Sequence, residues 1–190
     1  MLIRTEKFKN FSVIGIDPGL TQCGIASLCV NEGQLVSIDA LTLINNKIAL
    51  KSPFQPEYRT DREIRSDKLR LAFESILHQV QPILVCCESP FYNPSSPSAY
   101  GSLTDTVSIL RLSTQTYCPD VSFVSYAPQE VKQTFKRAGK LGKETMREAL
   151  KQDTKLCSLV TCSIDLLDEH SIDAIAVGYR WFLNQADYSV

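Results

Sequence analysis

Three carboxylates and one histidine stand where chemistry would be placed. Asp17 ends the apolar run Phe11-Ser12-Val13-Ile14-Gly15-Ile16 and leads into Pro18-Gly19, and Glu88 ends a second apolar run, Ile83-Leu84-Val85-Cys86-Cys87. Asp173 lies in "DEHSIDAIAVGY" (168–179), with His170, one of only two histidines in the chain, three residues before it. Residues three apart on a helix share a face, so His170 and Asp173 can point at one center. Carboxylates brought together repel and leave one group protonated unless a cation relieves them. Hard oxygen donors suit Mg²⁺, and an imidazole also suits Mn²⁺. Two such ions roughly 3.5–4 Å apart form a clamp for phosphodiester cleavage. Each feature alone has a plainer reading. Asp-Pro-Gly after a strand is a turn, a Glu at a strand end is solvated, and an acid near a helix start answers the helix dipole. Their conjunction favors a metal site.

The elements must bring these residues together. Runs 11–16, 23–30 and 35–44 read as strands joined by short turns, an antiparallel meander. Thr60-Asp61-Arg62-Glu63 is a capping box, and Leu69, Ala72, Phe73, Ile76, Leu77 and Val80 form one helical face that Pro82 ends. A fourth strand spans 83–87 and a Pro/Ser-rich loop 89–98. A helix follows over 99–116, then a fifth strand over 121–126. Pro128 suits the first turn of a helix running to Gly139, and a further helix covers 143–153. Residues 45–59 read as a polar loop, 154–167 fit no single pattern, and the last helix runs from 169 to 185. The order predicts an α/β fold: a mixed five-stranded sheet, three antiparallel strands then parallel ones, flanked by helices. In such sheets, sites gather at strand ends. No internal repeat or linker interrupts residues 1–190, so one domain is expected.

Composition sets outer bounds. The chain is 44% hydrophobic and 22% charged, with a formal net charge of −1, which is ordinary globular usage. No apolar run approaches the ~20 residues of a membrane span, and "MLIRTEKFKN" lacks the apolar core of a secretory signal. None of the seven cysteines forms a CxxC pair, so the expectation is a reduced, cytoplasmic setting, bacterial or phage-encoded contexts included. Positive charge is nonetheless concentrated. Lys132, Lys136, Arg137, Lys140, Lys143, Arg147 and Lys151 face only Glu144 and Glu148, seven against two, a local net of +5. Beside a metal site, such a segment reads as a phosphate-tracking surface rather than a solvated helix face. The cluster Arg59, Arg62, Arg65, Lys68 and Arg70 is interleaved with acids and reads as solvated.

Four segments, in order and spanning residues 11 to 182, resemble the RuvC-type Holliday-junction resolvases of the ribonuclease-H-like nuclease superfamily. They are "VIGIDPGLTQCGIA", "LVCCESPF", "YAPQEVKQTFKRAGKLGKETM" and "HSIDAIAVGY". The resemblance implies a ribonuclease-H-like fold and a structure-specific endonuclease that resolves four-way DNA junctions, other branched DNA included, with two Mg²⁺ ions (Mn²⁺ as substitute) per active site. It implies that Asp17 bridges both metals, that Glu88 holds one, and that Asp173 holds the other with His170 beside it. His170 stands where many members carry an aspartate, and its role as ligand or general base is open. The resemblance also gives Lys132 and Lys143 contacts to the substrate backbone, gives Phe91 a stacking role at the junction center, and implies a homodimer. Lys136, Arg137 and Lys140 join the DNA-binding set through the basic segment. The alternatives are a related nuclease acting on RNA or RNA·DNA hybrids, or a junction-binding protein without catalysis. An actin-like or sugar-kinase ATPase shares the Asp-x-Gly turn but needs a second phosphate loop and a second domain.

Overall fold

A computed structural model describes residues 9–45, 60–92, 94–135 and 146–185. Strand β1 (Phe11–Asp17), β2 (Gln22–Asn31) and β3 (Gln34–Ile44) are followed by helix α1 (Asp61–Val80), β4 (Leu84–Glu88), α2 (Pro97–Tyr117) and β5 (Ser122–Tyr126). The chain then forms α3 (Pro128–Lys132), α4 (Met146–Gln152), α5 (Thr154–Cys157), a 3₁₀ turn (Ile164–Leu166) and α6 (Glu169–Leu183). The five strands form one sheet in the order β3-β2-β1-β4-β5. β1, β2 and β3 pair antiparallel, and β4 pairs parallel with both β1 and β5.

Strand alternation divides the core between the two faces. Ile14, Ile16, Val85 and Cys87 point to one face and pack against Leu69, Phe73 and Leu77 of α1 and Val107 and Leu110 of α2. Val13, Leu84 and Cys86 point to the other, which α6 covers with Ile172, Ile175, Ala176 and Tyr179. The capping box at the start of α1 forms as its sequence dictates: the Thr60 N–H donates to Glu63 Oε2 at 2.7 Å, and the Glu63 N–H donates to Thr60 Oγ1 at 3.3 Å.

Two expected elements change. The helix after Pro128 stops at Lys132 rather than running on toward Gly139, and Gln133–Phe135 form a turn. The Gln133 and Thr134 N–H groups reach back only to the Glu130 and Val131 carbonyls, and the Thr134 hydroxyl also bonds the Glu130 carbonyl, a local bond that competes with the helix. Residues 136–145 lie outside the described part, as do 46–59 of the polar loop. Segment 154–167 takes its form from distant partners. The Ile38 N–H donates to the Leu159 carbonyl at 2.8 Å and the Thr161 N–H to the Ile38 carbonyl at 3.0 Å, so this segment lies along the outer edge of β3.

Candidate active site

Asp17 and Glu88 leave the sheet side by side. Ile16 of β1 stands opposite Cys87 of β4, and the next residue on each strand is one of these acids. Alternation turns both toward the face that holds Val13, Leu84 and Cys86, under α6.

The start of α6 is fastened above them from two sides. Asp168 is its N-cap. Its Oδ1 accepts from the Ser171 N–H at 2.8 Å and from Thr42 Oγ1 of β3 at 2.6 Å. The Thr42 and Ser171 hydroxyls lie 2.9 Å apart and complete the tie. Burial raises the Asp168 carboxyl, but these bonds outweigh it and hold the group below its ordinary value. Asp168 is therefore a structural acid. Beneath the helix, glycine permits close approach: a Cβ at Gly24 would lie 2.0 Å from the His170 carbonyl oxygen, and one at Gly15 would lie 2.2 Å from that of Ala174.

This docking carries His170 onto Asp17. The His170 Nδ1–H donates to Asp17 Oδ2 at 2.7 Å, and Nε2 lies 3.2 Å from Gln22 Oε1 at the start of β2. The Gln22 amide oxygen accepts from Nε2 when that nitrogen carries a proton. Burial lowers the His170 pKa, but the Asp17 bond and the charges of Asp17, Asp168 and Glu169 together raise it above its ordinary value.

The three acids share an electrostatic problem. Burial, then the charges of Asp17 and Asp173, push Glu88 up to about 7. Burial and Asp17 push Asp173 up to about 6. Burial also raises Asp17, although the His170 bond and charge oppose it. Lys132 of α3 lowers both Glu88 and Asp173, so its ammonium acts on the same cluster.

Among the described residues, no group of three or more His, Cys, Asp or Glu side chains lies close enough together to hold a metal ion by itself. The donor chemistry still fits a hydrated hard cation. Mg²⁺ keeps several waters and takes only one or two protein carboxylates, and three half-buried acids raised by burial and by mutual repulsion are what a cation would relieve.

The expected DNA-binding residues divide. Phe91, just beyond Glu88, is 64% exposed and free to meet a partner. Lys132 is exposed beside the acids. Lys136, Arg137, Lys140 and Lys143 lie outside the described residues. Two other members of the basic run are engaged within the fold. Arg147 donates to the carbonyls of Ile164 and Leu167, both at 2.6 Å, and Lys151 pairs with Asp165. In the interleaved cluster, Arg62 pairs with Asp105 and Arg70 with Glu74. Sequence reasoning missed Gln22, because a polar residue opening a strand carries no signal until α6 is placed. It also missed Tyr92, next to Phe91 in the chain, whose ring meets that of Tyr100 on α2 edge to face at 5.4 Å. The Phe91-Tyr92 pair in the Pro/Ser-rich loop was the available clue.

No protein-family model matches this chain, and no curated protein does. Solved structures do. RuvC of T. thermophilus bound to a Holliday junction substrate superposes with a TM-score of 0.63 at 16% identity, covering 93% of this chain and 97% of that one. A Thermus thermophilus RuvC structure gives 0.60 at 20% identity over 89% and 92%. The yeast mitochondrial Holliday junction resolvase Ydc2 gives 0.60 at 14% identity over 89% and 76%. The expected architecture is thus found: a mixed five-stranded sheet flanked by helices, matching the ribonuclease-H-like fold of the RuvC structures, in a chain of low sequence identity to them.

Proposed function

We propose that this chain is a metal-dependent endonuclease that resolves four-way DNA junctions by phosphodiester hydrolysis. The observation that carries the reading is the mutual repulsion of Asp17, Glu88 and Asp173, set on two adjacent strand ends and one helix, with Lys132 acting on Glu88 and Asp173. The likeness of fold to two junction resolvases supports it.

In this reading Asp17, Glu88 and Asp173 hold two Mg²⁺ ions, or Mn²⁺ in their place, which when bound supply Lewis acidity for in-line attack of water on a phosphate. The chain's own residues do the rest. The strand ends fix Asp17 and Glu88, and α6 brings Asp173 to them. Lys132 draws a phosphate toward the acids and offsets part of their charge. His170 lies within hydrogen-bond reach of Asp17 and orients that carboxylate or handles a proton of the attacking water. Phe91 offers a face for an unpaired base. Lys136, Arg137, Lys140 and Lys143 extend the phosphate contacts. One domain spans residues 1–190, two copies act as a homodimer on the two strands of a junction, and the setting is reduced and cytoplasmic, in keeping with seven free thiols.

The test compares labeled four-way junctions, forks, flaps, linear duplexes and RNA·DNA hybrids in Mg²⁺ and in Mn²⁺. Junctions should be cut in preference to the rest. Asp17→Asn should lower cleavage by roughly 100-fold or more, since even residues that support a ligand cost 10–100-fold, while junction binding stays. Binding without metal-dependent cutting would make the chain a junction-binding protein, and preference for hybrids would make it a ribonuclease.

A further inference from the structure

The geometry points to Gln22 as a positioning residue that fixes the ring of His170, an assignment that rests on the nuclease reading for its consequence but not for its geometry. The imidazole is held at two ends: Nδ1 by Asp17 Oδ2 at 2.7 Å and Nε2 by Gln22 Oε1 at 3.2 Å. A half-turn of the ring about Cβ–Cγ would put carbon where each nitrogen stands and break both bonds. The two anchors differ in permanence. Asp17 carries the reaction in the reading above, so its oxygens have other partners whenever the site is loaded. Gln22 is neutral, exposed and belongs to no set of acids, so loading of the site gives its oxygen no competing partner.

Gln22 is also well placed to hold still. It pairs with Ile44 at the open end of the β2–β3 ladder. The adjacent Asn45 N–H donates to the Thr21 carbonyl at 2.8 Å, and the Asn45 amide bonds the Leu20 and Arg65 carbonyls. The turn that carries Gln22 is thereby tied to β3 and α1 by bonds that do not involve α6. A bond from this turn to the first turn of α6 fixes the ring against the sheet rather than against its own helix.

The chain has only two histidines. His78, on α1, packs its ring edge against Tyr117, and α1 covers the sheet face opposite to α6. A ¹⁵N-histidine spectrum of the full-length, metal-free protein therefore contains two imidazoles, and His78→Gln assigns them. At one fixed pH, Gln22→Ala should move and broaden the His170 Nε2 signal, leave His78 unmoved, and keep the thermal midpoint. Gln22→Glu, which retains an acceptor oxygen, should restore a single ordered ring. In junction cleavage with Mg²⁺, Gln22→Ala should lower kcat by roughly 3- to 10-fold, the scale of one modest hydrogen bond, with KM unchanged, and Gln22→Glu should recover most of the loss. An unmoved His170 signal in Gln22→Ala overturns the assignment, whatever happens to the rate. A moved signal with unchanged kcat overturns its role in the reaction. If the wild-type chain cuts no junction, the nuclease reading fails and the spectrum alone decides the anchoring.

Discussion

The acids at the site resist ionization, and this has a measurable sign. Glu88 is raised from 4.5 to about 7 and Asp173 from 3.8 to about 6, by burial first and by neighboring carboxylates second. Between the unfolded and folded values the native state binds more protons than the unfolded chain. Stability of the metal-free protein should therefore fall as pH rises from about 4 to about 7, and then level off. Removing one such charge isolates its share. Glu88→Gln should unfold near the wild-type temperature at about pH 4 and at a progressively higher temperature than wild type as pH rises to about 7. A divalent cation bound to the native state should reverse the penalty by mass action. At a pH above 7, Mg²⁺ should raise the wild-type thermal midpoint and raise that of Glu88→Gln less. Scanning calorimetry of both proteins, with and without the ion, checks both signs. A Glu88→Gln midpoint that tracks wild type across the whole range would show that Glu88 is ionized as easily as a solvated acid.

At the scale of elements, the site exists because α6 lies unusually close to β1 and β2. Gly24→Ala would place a Cβ 2.0 Å from a backbone oxygen of His170, and backbone cannot swing aside as a side chain can. The helix start must lift, which should cost about 1–3 kcal/mol or more and separate His170 from Asp17. A Cβ at Gly101 on α2 would meet nothing within 4 Å, so Gly101→Ala should instead stabilize by about 0.5–1 kcal/mol. Opposite shifts in urea midpoint, with cleavage lost only in Gly24→Ala, are the expected pair of results. Asp168→Ala should cost about 0.5–2 kcal/mol as a lost cap. The strands, α1, α2 and α6 were legible because their apolar periods are local, and Asp17 and Glu88 stood out because each ends an apolar strand. The form of 154–167 was not legible. Its ties run to Arg147 and to Ile38, and no local period encodes a partner such as Ile38, more than a hundred residues away. The capping role of Asp168 was half visible: an acid three residues before Ser171 has the N-cap spacing, but its bond from Thr42 requires the sheet.

For the whole molecule, the question is how a chain of net charge −1 would hold a polyanion. Net charge does not decide this; the placement of unengaged cations does. Counting positive residues along 132–151 overstates the surface, because Arg147 clamps two carbonyls and Lys151 pairs with Asp165. Lys132 differs, since its charge acts on Glu88 and Asp173 at the site itself. Each phosphate neutralized by a side chain releases counterions and steepens the fall of affinity with salt by about 0.9 in log–log slope. Lys132→Ala should therefore weaken binding of a four-way junction evenly across junction sequences and make the slope shallower by about 1. Arg147→Gln removes the same charge from a carbonyl clamp. It should leave the salt slope as it is and lower the thermal midpoint, because the Ile164 and Leu167 carbonyls lose their donors just ahead of the α6 cap. Fluorescence anisotropy of a labeled junction, titrated at several salt concentrations between about 50 and 200 mM, distinguishes the two kinds of cation. If Lys132→Ala kept the wild-type slope while Arg147→Gln reduced it, the phosphate-tracking surface would lie with α4 rather than with α3.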